Sequence, residues 1–520
     1  MNRCSIRTTL VVGLALGLLA RPDSASSYPL DGYEYTGLMR LEVQRLVQLG
    51  KAPGTKRPPG ELLPMSEVDL RLLDHRDLQL PPPDAALTAT VKRLLGPAAD
   101  RYGIGLLDLS DLDHVRYAEW NGNQHQNPGS VGKLMVALAL FQALADIHPD
   151  DIAARERLLR ETIITADAFS VYDHHTVPKW NATNRTLSRA PIHEGDQASL
   201  WTYVDWMMSP SSNSAAGMVQ KQLILMKHYG KAYPPSPEEA QRFLKETPKT
   251  QLAEIFAEAI QGPVTRNGLD LNNLRQGSFF THQGKLRVPG TSSYATPREL
   301  VKYMLLMEQG KLVDVWSSRE IKRLLYVTER RIRYGSSGAL RDSAVYFKSG
   351  SLYSCQPEPG FTCTKYHGNK RNYMNSAAII ESPAGQNRLY YMVAVLSNVL
   401  RKNSAEDHRD LARAVQARLL ADHPGDPSQT AEFGKGFIGY AEERRATQLK
   451  VDTQEALLDL GYDIGEIDGL IGSATRAAIR KFQQSQHLPV TGQPSEELLA
   501  HMQKVAREKG LTRPLATPEN

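Results

Sequence analysis

The alternation of apolar and polar positions divides most of the chain into recognisable elements. Apolar residues at Ala86, Leu87, Val91, Leu94 and Leu95 recur at helical spacing and predict a helix over residues 84–99. Gly103 to Leu109 reads as a strand. Asn127-Pro128-Gly129 then breaks the chain before Ser130 to Ala145, whose apolar residues point all round and so predict a buried helix. Helical patterning dominates from there to about Arg323. Strand-like runs return at Ala344 to Phe347, Ala377 to Glu381 and Leu389 to Ser397. A helix starting near Ser404, with Asp407 in its first turn, runs to about Leu420. A strand, a long helical insert, three strands and a closing helix make an α+β domain with an antiparallel sheet over residues 84–420.

The flanking regions follow different patterns. Arg3 and Arg7 precede the uncharged run Thr8 to Ala20, and small residues follow at Ser24 to Ser27. That run is shorter than the roughly 20 residues a spanning helix needs, so residues 1–26 read as a secretory signal, with an uncleaved anchor as the alternative. Residues 27–83 are broken by Pro53, Pro58, Pro59, Pro64 and Pro81 to Pro83, and read as a partly helical lead-in without its own core. Residues 421–446 begin with a Pro/Gly/polar linker. A compact unit over 447–505 and a polar tail over 506–520 complete the chain. Outside the signal, no segment reads as a membrane span.

Composition narrows the function classes. The 520 residues carry a formal net charge of only +5, and no domain shows the clustered basic residues of a nucleic-acid footprint. Three cysteines exclude a disulfide-dense scaffold and a Cys-rich metal cluster. Once the signal is removed only Cys355 and Cys363 remain. In an oxidising compartment they form a loop-closing disulfide; two free thiols are the alternative.

Three short motifs carry chemistry: Ser130-Val-Gly-Lys133, Ser211-Ser-Asn213 and Lys348-Ser-Gly350. They occur in the order S-x-x-K, S-x-N, K-[S/T]-G, and the order is more telling than any one of them. Ser130 and Lys133 fall one helical turn apart on a shared face. Ser130 stands at the helix start, where free N–H groups favour an alkoxide. A buried Lys133 would lose basicity through desolvation and become able to take the serine proton. Ser211 and Asn213 end the helical stretch Trp201 to Met208, where a loop presents side chains to a cleft. Lys348, Ser349 and Gly350 close a strand whose edge can pair with an extended peptide, with the lysine near a substrate carboxylate.

On these motifs, residues 84–420 resemble the class A β-lactamase and penicillin-recognising serine hydrolase family. Gly105 to Leu109, Ser214-Ala-Ala216 and Ala295-Thr-Pro-Arg-Glu-Leu300 add to the likeness. The resemblance implies a β-lactamase/DD-peptidase-like fold, with an antiparallel sheet and a helical subdomain. It implies an acyl-enzyme on Ser130, with Lys133 as base, Ser211 as proton relay, and an oxyanion hole from the N–H groups of Ser130 and Ser351. The implied substrate is a β-lactam or a D-Ala-D-Ala peptide, and the resemblance implies no cofactor. Two features depart from the family: an extra helical stretch between Gln220 and Gln261, and no glutamate between Glu258 and Glu299 to activate a deacylating water. Asp270 is the only acid there and is the candidate deacylation base.

The C-terminal unit resembles the small helical peptidoglycan-binding domain. The residues that carry the likeness are Val451, Gln454, Leu457, Leu460-Gly461-Tyr462, Ile467-Asp468-Gly469, Gly472, Thr475, Ala478, Phe482-Gln483 and Leu488-Pro-Val-Thr-Gly492. Their spacing predicts three short helices, with turns at Asp468-Gly469 and Thr491-Gly492 and with Phe482 and Ile467 in the core. The implied partner is peptidoglycan and the implied location is periplasmic or extracellular, at the cell wall. Two competing readings are a catalytically dead wall-binding protein and a zinc-dependent murein hydrolase. The zinc reading would use Asp173, His174, His175, His193 and Glu194, but these lack an H-E-x-x-H or C-x-x-C spacing.

Overall fold

The computed structural model describes residues 29, 31–181, 183–184, 186–386, 388–424, 449–450, 452–464 and 471–509. The signal segment 1–26, most of the 421–446 linker, Val451 and the Ile467-Asp468-Gly469 turn lie outside them. The chain divides into two compact units.

The first unit is built on a five-stranded antiparallel sheet. Its strands are β1 (Tyr102–Asp108), β2 (Arg116–Trp120), β3 (Ala344–Ser354), β4 (Arg371–Ser382) and β5 (Leu389–Asn398). Their spatial order is β2-β1-β5-β4-β3, which leaves β3 at an edge. Lys348 pairs with Ala377 and Gly350 with Asn375. Side chains alternate between the faces of a strand, and here each face meets a different hydrophobic cluster. Leu107, Ala377, Ile379, Met392 and Ala394 face one cluster. Ile104, Leu106, Ala378, Ile380, Val393 and Val395 face the other. Burial on both faces explains why these strands read as nearly continuous apolar runs.

The second of these clusters is closed by helices Ala85–Leu94 and Ala405–Asp422, through Leu87, Val91, Leu411, Val415 and Leu419. Helix Pro297–Glu308 and a large helical layer cover the other face. At the centre of that layer lies Lys133–Ile147, packed against Asn213–Tyr229 and Lys249–Arg266. Helix Gly129–Ile147 is long and apolar enough to cross a membrane, but most of it is buried within this layer. It is a core helix.

The apolar pattern did not reveal several elements. Strand β2 was not expected; Arg116 and Glu119 interrupt its apolar positions, and it is held by pairing with β1. The stretch expected to be helical up to Arg323 also contains three small two-stranded sheets, which pair Val177–Asn181 with Thr186–Ala190, Ile163–Thr165 with Gln197–Ser199, and Leu274–Arg275 with Tyr294–Ala295. Such short strands depend on their partners more than on local propensity. In the lead-in, Leu38, Leu41, Leu63, Met65, Val68 and Leu72 join the large cluster of the helical layer. Arg40 makes a buried two-contact pair with Asp205, at 2.9 and 2.5 Å.

The second unit is helical over 452–459, Ser473–Ser485 and Glu496–Glu508. Leu457, Ile464, Ile479, Phe482, Leu498 and Met502 form its core. The Gln483 side chain pins the expected turn, donating to Thr491 Oγ1 and accepting from Gly492 N, both at 2.9 Å. Gly492 takes φ +68°, a left-handed conformation that suits glycine.

Candidate active site

A cleft of about 500 Å³ runs along the edge strand β3 beside the serine turn. Ser130 lies in a 3₁₀ turn, Gly129–Gly132, that feeds directly into helix Lys133–Ile147. The turn is pressed onto β3. A β-carbon on Gly350 would come within 2.1 Å of Pro128 O and 2.9 Å of Ser130 N, so only glycine permits this approach. Asn127 Oδ1 accepts a hydrogen bond from Gly129 N and so braces the turn.

Lys133 is fully buried beneath Ser130. Its Nζ lies 2.9 Å from Ser130 Oγ, 2.8 Å from Asn213 Oδ1, 2.7 Å from Ser211 O and 3.4 Å from Ser211 Oγ. Burial, reinforced by the Arg330 charge and opposed by Asp173, lowers its pKa to about 7. Lys348 Nζ donates to Ser211 Oγ at 2.8 Å. Burial and the neighbouring Lys133, Arg330 and Arg333 charges push Lys348 well below the ordinary lysine range. The Ser211 hydroxyl therefore stands between two amines of weakened proton affinity. Ser211 itself has φ +65° and is held between helices Leu200–Met208 and Asn213–Tyr229.

The five residues Ser130, Lys133, Ser211, Asn213 and Lys348 thus form one hydrogen-bonded cluster, while Ser349, Gly350 and Ser351 line the adjoining strand edge. Asp270 is not brought to them. It is not among the cleft-lining residues, and its carboxylate accepts from Asn272 N and Asn273 Nδ2 in a local turn. The expectation that Asp270 could serve Ser130 as deacylation base finds no contact to carry it. The wall before helix Pro297–Glu308 is formed instead by Gln276 and Phe280. Gln276 is 3% exposed, and its Oε1 occupies the space beside Gly132 where a β-carbon would sit. Its Nε2 donates to Ser278 O at 2.6 Å, whereas Oε1 has no hydrogen-bond partner among the described residues. The Phe280 ring lies 4.9 Å from Lys133 Nζ.

Sequence reasoning did not single out several residues at the site. Arg333, at φ +56°, is buried behind β3, donates to Gly350 O at 2.8 Å and stacks on Tyr366. Burial lowers its pKa to about 10. Burial would raise the Tyr366 phenol, but Arg333, Lys365 and Arg330 outweigh it and leave the group below its ordinary value. Arg330, Lys285 and Lys365 also line the cleft, giving it a cationic rim suited to a carboxylate-bearing ligand. Cys355 and Cys363 are joined by a disulfide just beyond β3. No local spacing announces the arginines and tyrosine, because tertiary packing brings them in.

The former zinc candidates separate. Asp173, His174 and His175 lie together, with ligand atoms within 4.8 Å of one another. His193 and Glu194 are exposed and absent from the cleft lining. Both Asp173 oxygens are already engaged: one accepts from Ser212 Oγ, Asn213 N and Ser214 N, the other from His175. The carboxylate caps helix Asn213–Tyr229, and these donors hold it well below the usual carboxylate range despite burial.

Comparison with known proteins agrees with this architecture. The profile of the "Beta-lactamase enzyme family" matches residues 86–419, and that of the "Putative peptidoglycan binding domain" matches residues 451–502. The chain belongs to the beta-lactamase enzyme family; it joins a β-lactamase-like serine hydrolase domain to a helical peptidoglycan-binding domain. Among solved structures, a beta-lactamase from Sphaerobacter thermophilus DSM 20745 is 16% identical, covering 65% of this chain and 98% of that one, with a TM-score of 0.40. PBP-A is 15% identical, covering 66% and 99%, also with a TM-score of 0.40. The TLA-3 extended-spectrum beta-lactamase is 13% identical, covering 64% and 98%, with a TM-score of 0.42. No curated protein matches the chain.

Proposed function

We propose that the protein is an exported serine hydrolase or acyl-transferase that forms an acyl-enzyme on Ser130 and is held on peptidoglycan by its C-terminal domain. Its substrates are β-lactams or the D-Ala-D-Ala peptides they mimic. The observation that carries this reading is the buried Lys133 amine, 2.9 Å from Ser130 Oγ with its pKa lowered to about 7. At neutral pH a substantial fraction is uncharged and able to accept the serine proton. Ser130 Oγ then attacks the amide carbonyl, whose developing oxyanion is received by the backbone N–H groups of Ser130 and Ser351. Ser211, bonded to both lysines, relays the proton to the leaving nitrogen. Lys348 and the cationic rim hold the substrate carboxylate, and the edge of β3 receives its extended backbone.

Deacylation towards β-lactams is slow, because the wall around Gln276 and Phe280 offers no carboxylate to activate water. A catalytically dead wall-binding protein would not need a desolvated lysine aimed at a serine. Labelling with a fluorescent penicillin separates the two: the active enzyme is labelled covalently and Ser130→Ala is not. Anchoring is tested apart from catalysis. Residues 447–505, expressed alone, should sediment with insoluble peptidoglycan; remaining in the supernatant would remove the anchoring claim.

A further inference from the structure

The cleft holds a second proton-accepting pair that the acylation chemistry does not use. His175 lines the cleft with 12% of its side chain exposed. Its Nδ1 lies 2.5 Å from Asp173 Oδ1, and its backbone N–H donates to the same oxygen at 3.2 Å. The ionised Asp173 fixes the proton on Nδ1, so Nε2 is the lone-pair nitrogen. No described residue hydrogen-bonds to that Nε2. The His174 ring stacks on His175 at 4.3 Å and limits its rotation.

Asp173 also ties this imidazole to the catalytic turn. Its other oxygen accepts from Asn213 N at 2.6 Å, and Asn213 Oδ1 in turn meets Lys133 Nζ at 2.8 Å. The charged groups acting on the ring are Asp173, Lys133 and Arg330. Burial is the largest influence and lowers His175 to about 4, with Asp173 opposing and the two cations reinforcing it. The imidazole is therefore neutral at pH 7, with the basicity of an ordinary carboxylate.

We propose that His175, oriented by Asp173, is the base that accepts the proton of the water attacking the acyl-enzyme. This rests on the acyl-enzyme reading above and names the residue that completes it. The water oxygen bonds to the acyl carbon while one of its protons passes to His175 Nε2. The C–Oγ bond to Ser130 then breaks, and the imidazolium hands that proton to Ser130 Oγ. The acyl group leaves as a carboxylic acid, which ionises in solvent. The pair takes the place of the missing glutamate, approaching from the Ser211–Asn213 side of the cleft instead of the Gln276 side.

The test is rapid-mixing kinetics of the full chain with a chromogenic cephalosporin, which resolves acylation from deacylation. For His175→Ala, acylation should stay within about twofold, while deacylation falls at least ~10-fold, approaching the loss typical of a removed general base. Added imidazole should restore part of the lost rate, which a purely structural role would not allow. His175→Asn, whose side-chain N–H stands where Nδ1–H does and keeps a donor for Asp173, should fold and show the same deacylation loss. Unchanged deacylation in both variants, equal losses in both steps, or absence of imidazole rescue would overturn the proposal. If the wild type forms no Ser130 adduct at all, the acyl-enzyme reading itself fails.

Discussion

The two walls of the cleft are built on opposite principles. On the wall formed by the serine turn, the Ser211 loop and β3, each polar group of the cluster has a partner within hydrogen-bonding distance. Lys133 alone meets four oxygens, and Lys348 reaches Ser211. On the facing wall before helix Pro297–Glu308, Gln276 leaves an acceptor unpaired, Phe280 presents a ring, and Asp270 is turned into a local loop. In the proposed reading, the first wall is preorganised to make a bond to Ser130. Among the described residues, the second wall brings no carboxylate to the cleft. In the proposed chemistry the first wall equips acylation in full, while water activation is left to the His175–Asp173 pair beside the Ser211 loop, with no carboxylate from the second wall.

The largest loss expected from breaking the first wall is at Lys133. Lys133→Met should slow acylation by roughly 10²–10⁴-fold, the usual range for a general base, while leaving penicillin access intact. Stopped-flow acylation also reads its protonation. Because burial lowers the amine to about 7, the wild-type rate should rise with pH through that region and level off above it. A flat profile between pH 5 and 9 would remove Lys133 from the role of base.

The second wall can be sharpened by supplying what it lacks. Gln276→Glu places a carboxylate where the unpaired amide oxygen now lies, beside Gly132. Steady-state hydrolysis of a penicillin should then increase by about 10-fold or more, with acylation little changed. No change in turnover would mean that this wall does not face the attacking water.

A smaller effect is expected at the end of the first wall. Cys355→Ser with Cys363→Ser opens a short loop beyond β3 and should cost roughly 2–3 kcal/mol in unfolding free energy, through the unfolded chain. Denaturant titration checks the value. A loss of acylation exceeding the loss of stability would show that the loop positions the strand edge as well.

How much of this could be read from the chain depended on whether an interaction is local. Ser130 with Lys133, Ser211 with Asn213, and Lys348 with Gly350 are each set within one turn or one strand, so short spacings exposed them. The β1, β4 and β5 runs were visible because burial on both faces makes them apolar throughout. Strand β2 and the small hairpins were not, since pairing rather than composition holds them. Arg333 and Tyr366 carry no local sign; they act because packing sets one behind β3 and the other on its guanidinium. Asp173-His174-His175 was conspicuous but ambiguous: the same residues suit metal ligation or a cap with an attached imidazole. Only the three donors converging on one Asp173 oxygen show which helix it caps.

The central claim is that Ser130 is acylated readily and released slowly. Intact-protein mass spectrometry after brief exposure to a penicillin, run beside bulk hydrolysis, addresses it directly. The account predicts a long-lived adduct of one penicillin per chain that vanishes in Ser130→Ala, with little bulk turnover. Rapid hydrolysis without a trapped adduct, or an adduct that persists in Ser130→Ala, would contradict it.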